Sequence, residues 1–224
     1  LRLREFVEVA WDMGLPELRP IWLLSPDVAS RLLPLRKGLF DMVVFDEAYF
    51  GFLDHAPDVL RYVREGRNVV VMRTFSKIQG LANLRIGYGI APAKIAEVLQ
   101  KTRQPFNANG IAQAGALAGL ADETHMRRTR ELTNEGREYL QSEFTDMGLT
   151  FVPSVANFVL LHVGDGDAVF QTLLRRGIIV RAMRSYKLPA WIRVSIGTME
   201  QNRRFIADLR KLDQEGAIAH AIQA

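Results

Sequence analysis

A group of polar side chains directly follows two apolar runs of the sequence. Asp46 and Tyr49 follow the first run, and Thr74, Ser76 and Lys77 follow the second. Together they offer a carboxylate, a phenol, two hydroxyls and an amine, which is too polar a set for packing. Single residues of this kind carry little information, because a lone Asp at a strand end is usually a turn or a helix cap and a Lys after a Ser is even less specific. The combination favours a site that binds a polar ligand.

The elements that must position these residues form a strand–helix–strand unit. The runs 41–46 and 68–72 are continuous and apolar, as expected for strands of a parallel sheet covered on both faces. Residues 56–65 between them predict a helix, and the default connection is a right-handed βαβ crossover. Ligands of open α/β sheets bind outside the carboxyl ends of the strands. We therefore expect Asp46 and Lys77 at the same edge of the sheet.

The pattern extends beyond this unit. Asp-x-x-Tyr begins at Asp46, Thr-x-Ser-Lys ends at Lys77, and Arg85 lies eight positions further on. This arrangement resembles the cofactor site of the fold type I pyridoxal-phosphate-dependent aminotransferases. Four segments resemble the histidinol-phosphate aminotransferase branch: TFSKIQGLANLRIGY at 74–88, RQPFNAN at 103–109, ANF at 156–158 and WIRVSIGT at 191–198. The resemblance covers about residues 40–214.

The resemblance implies catalytic roles for Lys77, Asp46 and Tyr49, with pyridoxal 5'-phosphate as cofactor. Lys77 would hold the cofactor as a Schiff base and then move a proton as a neutral amine. Asp46 would keep the pyridine nitrogen protonated, which makes the ring an electron sink. Tyr49 would donate to the 3' oxygen, although a tyrosine at this position could also belong to the core.

The same resemblance implies residues for the anionic groups. Thr74, Ser76 and Arg85 would hold the cofactor phosphate, since arginine suits bidentate phosphate contacts. Arg193 projects from the polar face of a predicted strand and would bind a carboxylate or phosphate of the substrate, with Asn157 in support. The alternatives are a surface salt bridge for Arg193 and a turn or strand-end role for Asn157.

Composition limits the other functional classes. The 224 residues are 48% hydrophobic and 24% charged, typical of a globular protein, and the net charge of +4 comes from scattered residues, which disfavours a nucleic-acid partner. No membrane span or signal peptide is apparent, which predicts a cytoplasmic protein. The chain has no cysteine, and its four histidines lack metal-ligand spacing, so we expect no metal site.

Two domains are expected. Residues 1–108 predict an incomplete large cofactor-binding domain of the α/β class, with a three-layer, mostly parallel sheet. Residues 109–224 predict inter-domain helices and a smaller α+β domain. The other predicted elements are strands at 21–24, 84–90, 151–152, 157–162, 178–182 and 191–196 and helices at 93–102, 109–120, 123–147, 167–176 and 199–212. One face of the 123–147 helix is predicted to carry Leu132, Tyr139, Leu140, Phe144 and Met147.

The chain also departs from the family pattern. The resemblance implies an amino-terminal part with a glycine-containing loop for the cofactor phosphate and an aromatic residue that stacks on the ring, and neither is found here. The asparagine-rich segment that should precede Asp46 appears only as SPDVAS at 25–30, without asparagine. We therefore expect a fragment with exposed sheet edges and a tendency to misassociate.

The expected function is an aminotransferase that moves an amino group between glutamate and imidazole acetol phosphate in histidine biosynthesis. The resemblance also implies small-molecule substrates and a homodimer. A threonine-phosphate decarboxylase or an aromatic aminotransferase of the same fold is the close alternative. From another class, a truncated remnant that acts only as a binding partner remains open.

Overall fold

The computed structural model describes residues 23–24 and 41–220. These residues form two compact units. The first contains 23–24, 41–48, Ala56–Thr74 and Leu84–Gln113, and the second contains Tyr49–His55, Phe75–Asn83 and 114–220. The predicted strand at 21–24 is described only at Leu23–Leu24, and the segment 25–30 lies outside the described residues. The expected domain boundary at residue 108 stays a prediction.

The first unit is built on a four-stranded sheet. Its strands are β1 (Leu23–Leu24), β2 (Val43–Asp46), β3 (Val69–Thr74) and β4 (Gly87–Ile90), in the order β1-β2-β3-β4. The first three strands are parallel and β4 is antiparallel to β3. The prediction of an α/β fold with a mostly parallel sheet is therefore confirmed.

Burial of apolar side chains explains the first unit's central strands. Phe45 on β2 and Val71 on β3 are fully buried, and the ring of Tyr62 stacks on Phe45. Tyr62 belongs to helix α1 (Leu60–Arg64), which is shorter than the predicted 56–65. The helix starts late because the Val59 N–H donates to the Pro57 carbonyl and closes a tight turn there. Helix α2 (Ala93–Thr102) occupies the predicted residues.

The predicted strand at 84–90 is wrong in its first three residues. Residues Ala82–Leu84 form a 3₁₀ turn, and Arg85 has a positive φ of 52°. A strand cannot pass through a left-handed residue without interruption, so β4 begins only at Gly87. Gly87 approaches β3 closely, since a Cβ on it would lie 2.7 Å from the Arg73 carbonyl oxygen.

The second unit contains an antiparallel sheet covered by helices. Its strands are β5 (Phe151–Val152), β6 (Phe158–His162), β7 (Arg181–Ala182) and β8 (Trp191–Ser195), in the order β5-β6-β8-β7. Helix α4 (Glu123–Asp146) follows α3 (Gly110–Ala121), which crosses the boundary between the two units in the sequence. Helices α5 (Gly166–Arg175) and α6 (Met199–Gln214) complete this unit.

Glycines end two of these helices as the sequence predicts. Gly148 after α4 and Gly177 after α5 have φ values of 67° and 74°. In each case the next residue donates back to the last turn, Leu149 to the Phe144 carbonyl and Ile178 to the Leu173 carbonyl. This is the Schellman pattern, which requires a left-handed residue and so favours glycine.

The turn that ends α5 also explains why the predicted strand at 178–182 is too long. Ile178 is held by the helix end, Ile179 is exposed, and only Arg181 and Ala182 pair with β8. The strand is short because residues used to close a helix cannot at the same time follow the neighbouring strand.

One predicted core residue of α4 is also wrong. Leu140 and Phe144 are fully buried, but Leu132 is 46% exposed, and Thr133 and Gly136 are buried in its place. The buried face follows the spacing 133, 136, 140 and 144, and Leu132 is rotated by about 85° from the middle of that face. Gly136 suits this face because a Cβ on it would lie 2.6 Å from the Asn202 amide nitrogen.

Phe144 is the central ring of the second unit's core. It has no exposed surface, and its centroid lies 5.7 Å from that of Phe151 and 6.3 Å from that of Phe205. We expect Phe144→Ala to lower the free energy of unfolding by about 3–5 kcal/mol, because it leaves a cavity among rigid neighbours. The exposed Leu132 is the matched control, and Leu132→Ala should change stability by less than about 0.5 kcal/mol. Denaturant unfolding of both variants measures the difference.

His220 makes a contribution to folding stability that depends on pH. The hydrogen bond between its Nε2 and the Asp213 carboxylate, 2.8 Å long, together with the Gly148 carbonyl, raises the pKa of His220 above its usual value. A raised pKa means that the stabilisation is complete below the unfolded-state pKa, about 6.5, and is lost as pH rises through the folded-state value. Because the imidazole is half-exposed, the pair is worth less than about 1 kcal/mol. His220→Gln should therefore be destabilising at about pH 5 and neutral at about pH 9; equal effects at both pH values would contradict this assignment.

Candidate functional site

Three of the predicted site residues gather at one edge of the first unit's sheet. Asp46 is the last residue of β2 and Thr74 is the last residue of the parallel strand β3. Thr74 pairs with Gly87 on β4, and Arg85 lies two residues before Gly87 at the same end. The sheet therefore presents a carboxylate, a hydroxyl and a guanidinium at its β2–β3 carboxyl edge.

Asp46 is exposed and oriented by its own turn. Its Oδ1 accepts a hydrogen bond of 3.0 Å from the Ala48 N–H. This local bond fixes the direction of the carboxylate without burying it. A carboxylate held in this way at a strand end can accept a proton or a hydrogen bond from a ligand.

Arg85 is one of three non-glycine residues with positive φ in the described part of the chain. A bulky side chain in this conformation costs about 1–3 kcal/mol, and such residues cluster at ligand-binding sites. The strain at Arg85 agrees with its predicted contact with an anion and does not by itself test that role.

Sequence reasoning missed a buried ion pair beside these residues. Glu47 directly follows Asp46, and its Oε2 accepts a hydrogen bond of 2.8 Å from Arg73 Nε. Burial alone would lower the pKa of Arg73, but hydrogen bonds to Glu47 and Tyr88 outweigh it and raise the pKa above the usual value. The guanidinium therefore stays charged.

The second unit holds the other five predicted residues. Lys77 and Ser76 lie in a loop closed by hydrogen bonds from the Gly80 N–H to the Lys77 carbonyl and from the Leu81 N–H to the Phe75 carbonyl. Phe75 and Ile78 are buried on either side of them. The loop is therefore anchored, and it keeps the Ser76 and Lys77 side chains half-exposed.

A series of ring contacts joins Lys77 to Arg193. The Lys77 Nζ lies 5.0 Å from the centroid of the Tyr49 ring. Tyr49 meets Phe158 edge to face with centroids 5.5 Å apart, and the Arg193 guanidinium lies 5.0 Å from the Phe158 centroid. The structure thus brings an amine, a phenol and a guanidinium together within one unit. Phe158 was not among the predicted site residues, although the ANF motif contains it.

Arg193 occupies the predicted position on β8. Its neighbours Ile192 and Val194 are buried on the opposite face, as period 2 requires. The Arg193 Nε is buried and has no hydrogen-bond partner among the described residues. An unpaired buried donor on a guanidinium is costly, and an anionic ligand would lower that cost.

Two more residues belong to this part of the second unit. Arg181 was not predicted as a site residue, whereas Asn157 was. Arg181 on β7 pairs directly with Arg193, and its guanidinium lies 5.1 Å from the Tyr186 centroid. Like charges opposite one another on neighbouring strands repel, and an anion between them would remove the repulsion. Asn157 lies beside Phe158, where its carbonyl accepts from the Ile196 N–H. The predicted strand at 178–182 contained Arg181, but only the register shows its partner.

Comparisons with known proteins agree on one family. The family model described as aminotransferase class I and II matches residues 36–209. A histidinol-phosphate aminotransferase of Akkermansia muciniphila is 54% identical over 171 residues, which is 76% of this chain and 47% of that protein. The chain thus spans about half the length of this curated relative.

Solved structures share the fold. The histidinol-phosphate aminotransferase of Sinorhizobium meliloti in complex with pyridoxal-5'-phosphate aligns with a TM-score of 0.73 and 28% identity, over 88% of this chain and 54% of that one. The L-threonine-O-3-phosphate decarboxylase of Porphyromonas gingivalis aligns with a TM-score of 0.72 and 21% identity, over 86% and 60%. At that identity the second likeness shows the fold alone.

Proposed function

Because the chain belongs to the aminotransferase class I and II family, we propose that it acts as a pyridoxal-phosphate-dependent aminotransferase that moves an amino group between glutamate and imidazole acetol phosphate, whose aminated form is histidinol phosphate. The observation that carries the proposal is the contact of the Lys77 amine with the Tyr49 ring, 5.0 Å from its centroid. It brings together the two side chains expected to meet the reactive end of the cofactor. The 54% identity to a histidinol-phosphate aminotransferase supports the specific activity.

The chemistry of the side chains fits pyridoxal phosphate. When bound, this cofactor supplies an aldehyde for covalent attachment and a ring that accepts electrons. Lys77 offers the amine, Tyr49 offers a phenol for the ring oxygen, and Asp46 offers a carboxylate for the ring nitrogen. Thr74, Ser76 and Arg85 offer hydroxyls and a cation for the phosphate.

Each residue then has a defined task. Lys77 would take the proton from the substrate α-carbon and deliver it to the C4′ carbon of the cofactor, as a neutral amine within hydrogen-bond reach can do. Asp46, held by the Ala48 N–H, keeps the ring nitrogen protonated. Arg193, supported by Asn157, binds an anionic group of the substrate and orients the bond that breaks.

A phosphorylated substrate is supported by the pairing of Arg181 with Arg193. Two guanidinium groups on adjacent strands suit a doubly charged phosphate better than a single carboxylate. This pair favours imidazole acetol phosphate over an aromatic keto acid as the amino acceptor.

The absorbance of the chain mixed with pyridoxal phosphate tests the proposal. We expect a band from covalently bound cofactor that shifts when glutamate is added, and then formation of 2-oxoglutarate without release of carbon dioxide. Carbon dioxide release would instead support a decarboxylase. A folded chain that gives no band would reject the enzymatic proposal and leave a binding role.

Replacing Arg193 tests substrate binding. We expect Arg193→Gln to raise the KM for histidinol phosphate roughly ten- to hundredfold, because a charge-assisted contact is lost. The effect on kcat should be smaller. The exposed Arg203 provides the control, and Arg203→Gln should leave KM unchanged. A fall in kcat with unchanged KM would contradict the assigned role.

Exposed apolar side chains support the proposed homodimer. Helix α3 carries no charged residue, and its Ile111, Leu117 and Leu120 are more than half exposed; the preceding Phe106 is 97% exposed. Apolar surface of this kind marks interaction sites. Sedimentation of the chain measures its oligomeric state, and a monomer at all concentrations would contradict a homodimer formed by this chain.

Among the described helices, none is both long and apolar enough to cross a lipid bilayer. The cytoplasm remains the proposed location, as expected for a biosynthetic enzyme acting on small molecules.

A further inference from the structure

The ion pair of Glu47 and Arg73 is buried beside the proposed cofactor site. The Arg73 Nε lies 2.8 Å from Glu47 Oε2, and the two side chains are 20% and 1% exposed. No role in the proposed reaction has been assigned to either residue. Their position at the ends of β2 and β3, next to Asp46 and Thr74, indicates what they do.

Strand register places the pair between two of the site residues. Asp46 pairs with Met72 on the parallel strand β3, and the Glu47 N–H continues the ladder by donating to the Met72 carbonyl. The ion pair therefore lies one residue beyond the Asp46–Met72 pair and one residue before Thr74.

The third strand joins the same network. Tyr88 on β4 pairs with Arg73 in the antiparallel register, and the interaction with its phenol helps to raise the pKa of Arg73. Arg73 thus joins the end of β2 by an ion pair with Glu47 and lies next to β4 through its pairing with Tyr88.

Stability alone does not account for this arrangement. A buried ion pair contributes little net stability compared with apolar side chains of similar volume, because both charges lose their hydration. Moreover, Glu47 Oε1 is buried without a hydrogen-bond partner among the described residues, which is a further cost. A pair of this kind restricts geometry more than it adds to the free energy of folding.

We propose that Glu47 is a positioning residue that, through Arg73, fixes the direction in which Asp46 presents its carboxylate at the end of β2. The inference rests on the proposed function for its consequence, cofactor binding, but not for its geometry. Glu47 holds the backbone directly after Asp46, and the Ala48 N–H that orients Asp46 Oδ1 is the next donor along the chain.

Two variants separate positioning from folding. Glu47→Gln keeps the shape and a hydrogen-bond acceptor but removes the charge. The double variant Glu47→Met with Arg73→Met replaces the whole pair by apolar side chains, which preserves stability if the pair serves no other purpose. Glu65→Gln is the matched control, because Glu65 forms an exposed ion pair with Arg67 in the same unit.

Amide hydrogen exchange in the cofactor-free chain gives the first measurement. We expect the Ala48 amide to exchange roughly tenfold faster in both Glu47 variants, and the Val71 amide in the middle of β3 to keep its rate. The second measurement is the Kd for pyridoxal phosphate, which should rise roughly tenfold in both variants. The Glu65→Gln control should change neither quantity.

The outcomes are distinguishable. Unchanged Ala48 exchange in the double variant would overturn the inference, because the pair would then not hold the turn after Asp46. Equal acceleration at Ala48 and Val71 would also overturn it, because that result indicates a general loss of stability. Failure of both variants to fold would likewise assign the pair to stability. If the unsubstituted chain binds no pyridoxal phosphate, the proposed function fails, while exchange at Ala48 still decides the role of Glu47.

Discussion

Lys77→Ala is expected to abolish covalent binding of pyridoxal phosphate and to lower the rate of amino transfer by at least about a thousandfold. No other amine can replace it easily, because Lys77 is held in an anchored loop and contacts the Tyr49 ring. The substitution should leave the fold intact, since the side chain is half-exposed and the loop is closed by backbone hydrogen bonds.

Mass spectrometry after chemical reduction measures the attachment directly. Reduction makes the link between cofactor and amine permanent, so the modified peptide should contain Lys77 and should be absent from the variant. The exposed Lys94 on α2 is the control, and Lys94→Ala should bind and react normally. Recovery of the cofactor on any lysine other than Lys77 would refute the assignment.

Asp46→Asn is expected to lower kcat by about a hundredfold or more while the Kd for pyridoxal phosphate changes far less. The asparagine oxygen can still accept from the Ala48 N–H, so the turn that orients the side chain is kept. The negative charge is lost, and a neutral amide no longer keeps the ring nitrogen protonated.

Two measurements test whether turnover is affected more than binding. The first compares the fold-change in kcat with the fold-change in the Kd for pyridoxal phosphate, and the second follows the absorbance of the bound cofactor as a function of pH. Asp58→Asn provides a control in the same unit, because Asp58 forms an exposed ion pair with Arg64. If Asp46→Asn weakened cofactor binding as strongly as turnover, the carboxylate would be a binding group and the proposed electronic role would be wrong.

Much of the fold could be predicted because local patterns agree with the tertiary contacts. The apolar runs ending at Asp46 and near Thr74 became adjacent parallel strands, and the alternation in 191–196 correctly buried Ile192 and Val194. Glycine positions predicted where α4 and α5 end, since the left-handed cap conformation is a local requirement.

Predictions failed where a residue's environment depends on distant segments. Leu132 is apolar, yet it is exposed, because the face of α4 that packs is set by α6 and the sheet rather than by hydrophobicity. Residues 178–180 favour a strand, but the closing turn of α5 holds Ile178 instead.

The candidate site shows the same division. The residue types and their spacing indicated Lys77, Asp46 and Arg85, and the structure places Lys77 against Tyr49. Their roles stay predictions until the variants are measured. Glu47 and Arg73 were missed because they are 26 positions apart, and a shift of register by one residue would separate them.

The sequence by itself determined the chemical groups available to a site and the strand ends that carry them, because side-chain chemistry and local backbone preference are properties of short segments. Only the tertiary structure decided that Glu47 meets Arg73, that Arg181 lies opposite Arg193, and that Phe158 connects Tyr49 to Arg193. These contacts depend on strand register and packing between distant segments, whose free energies no local pattern contains.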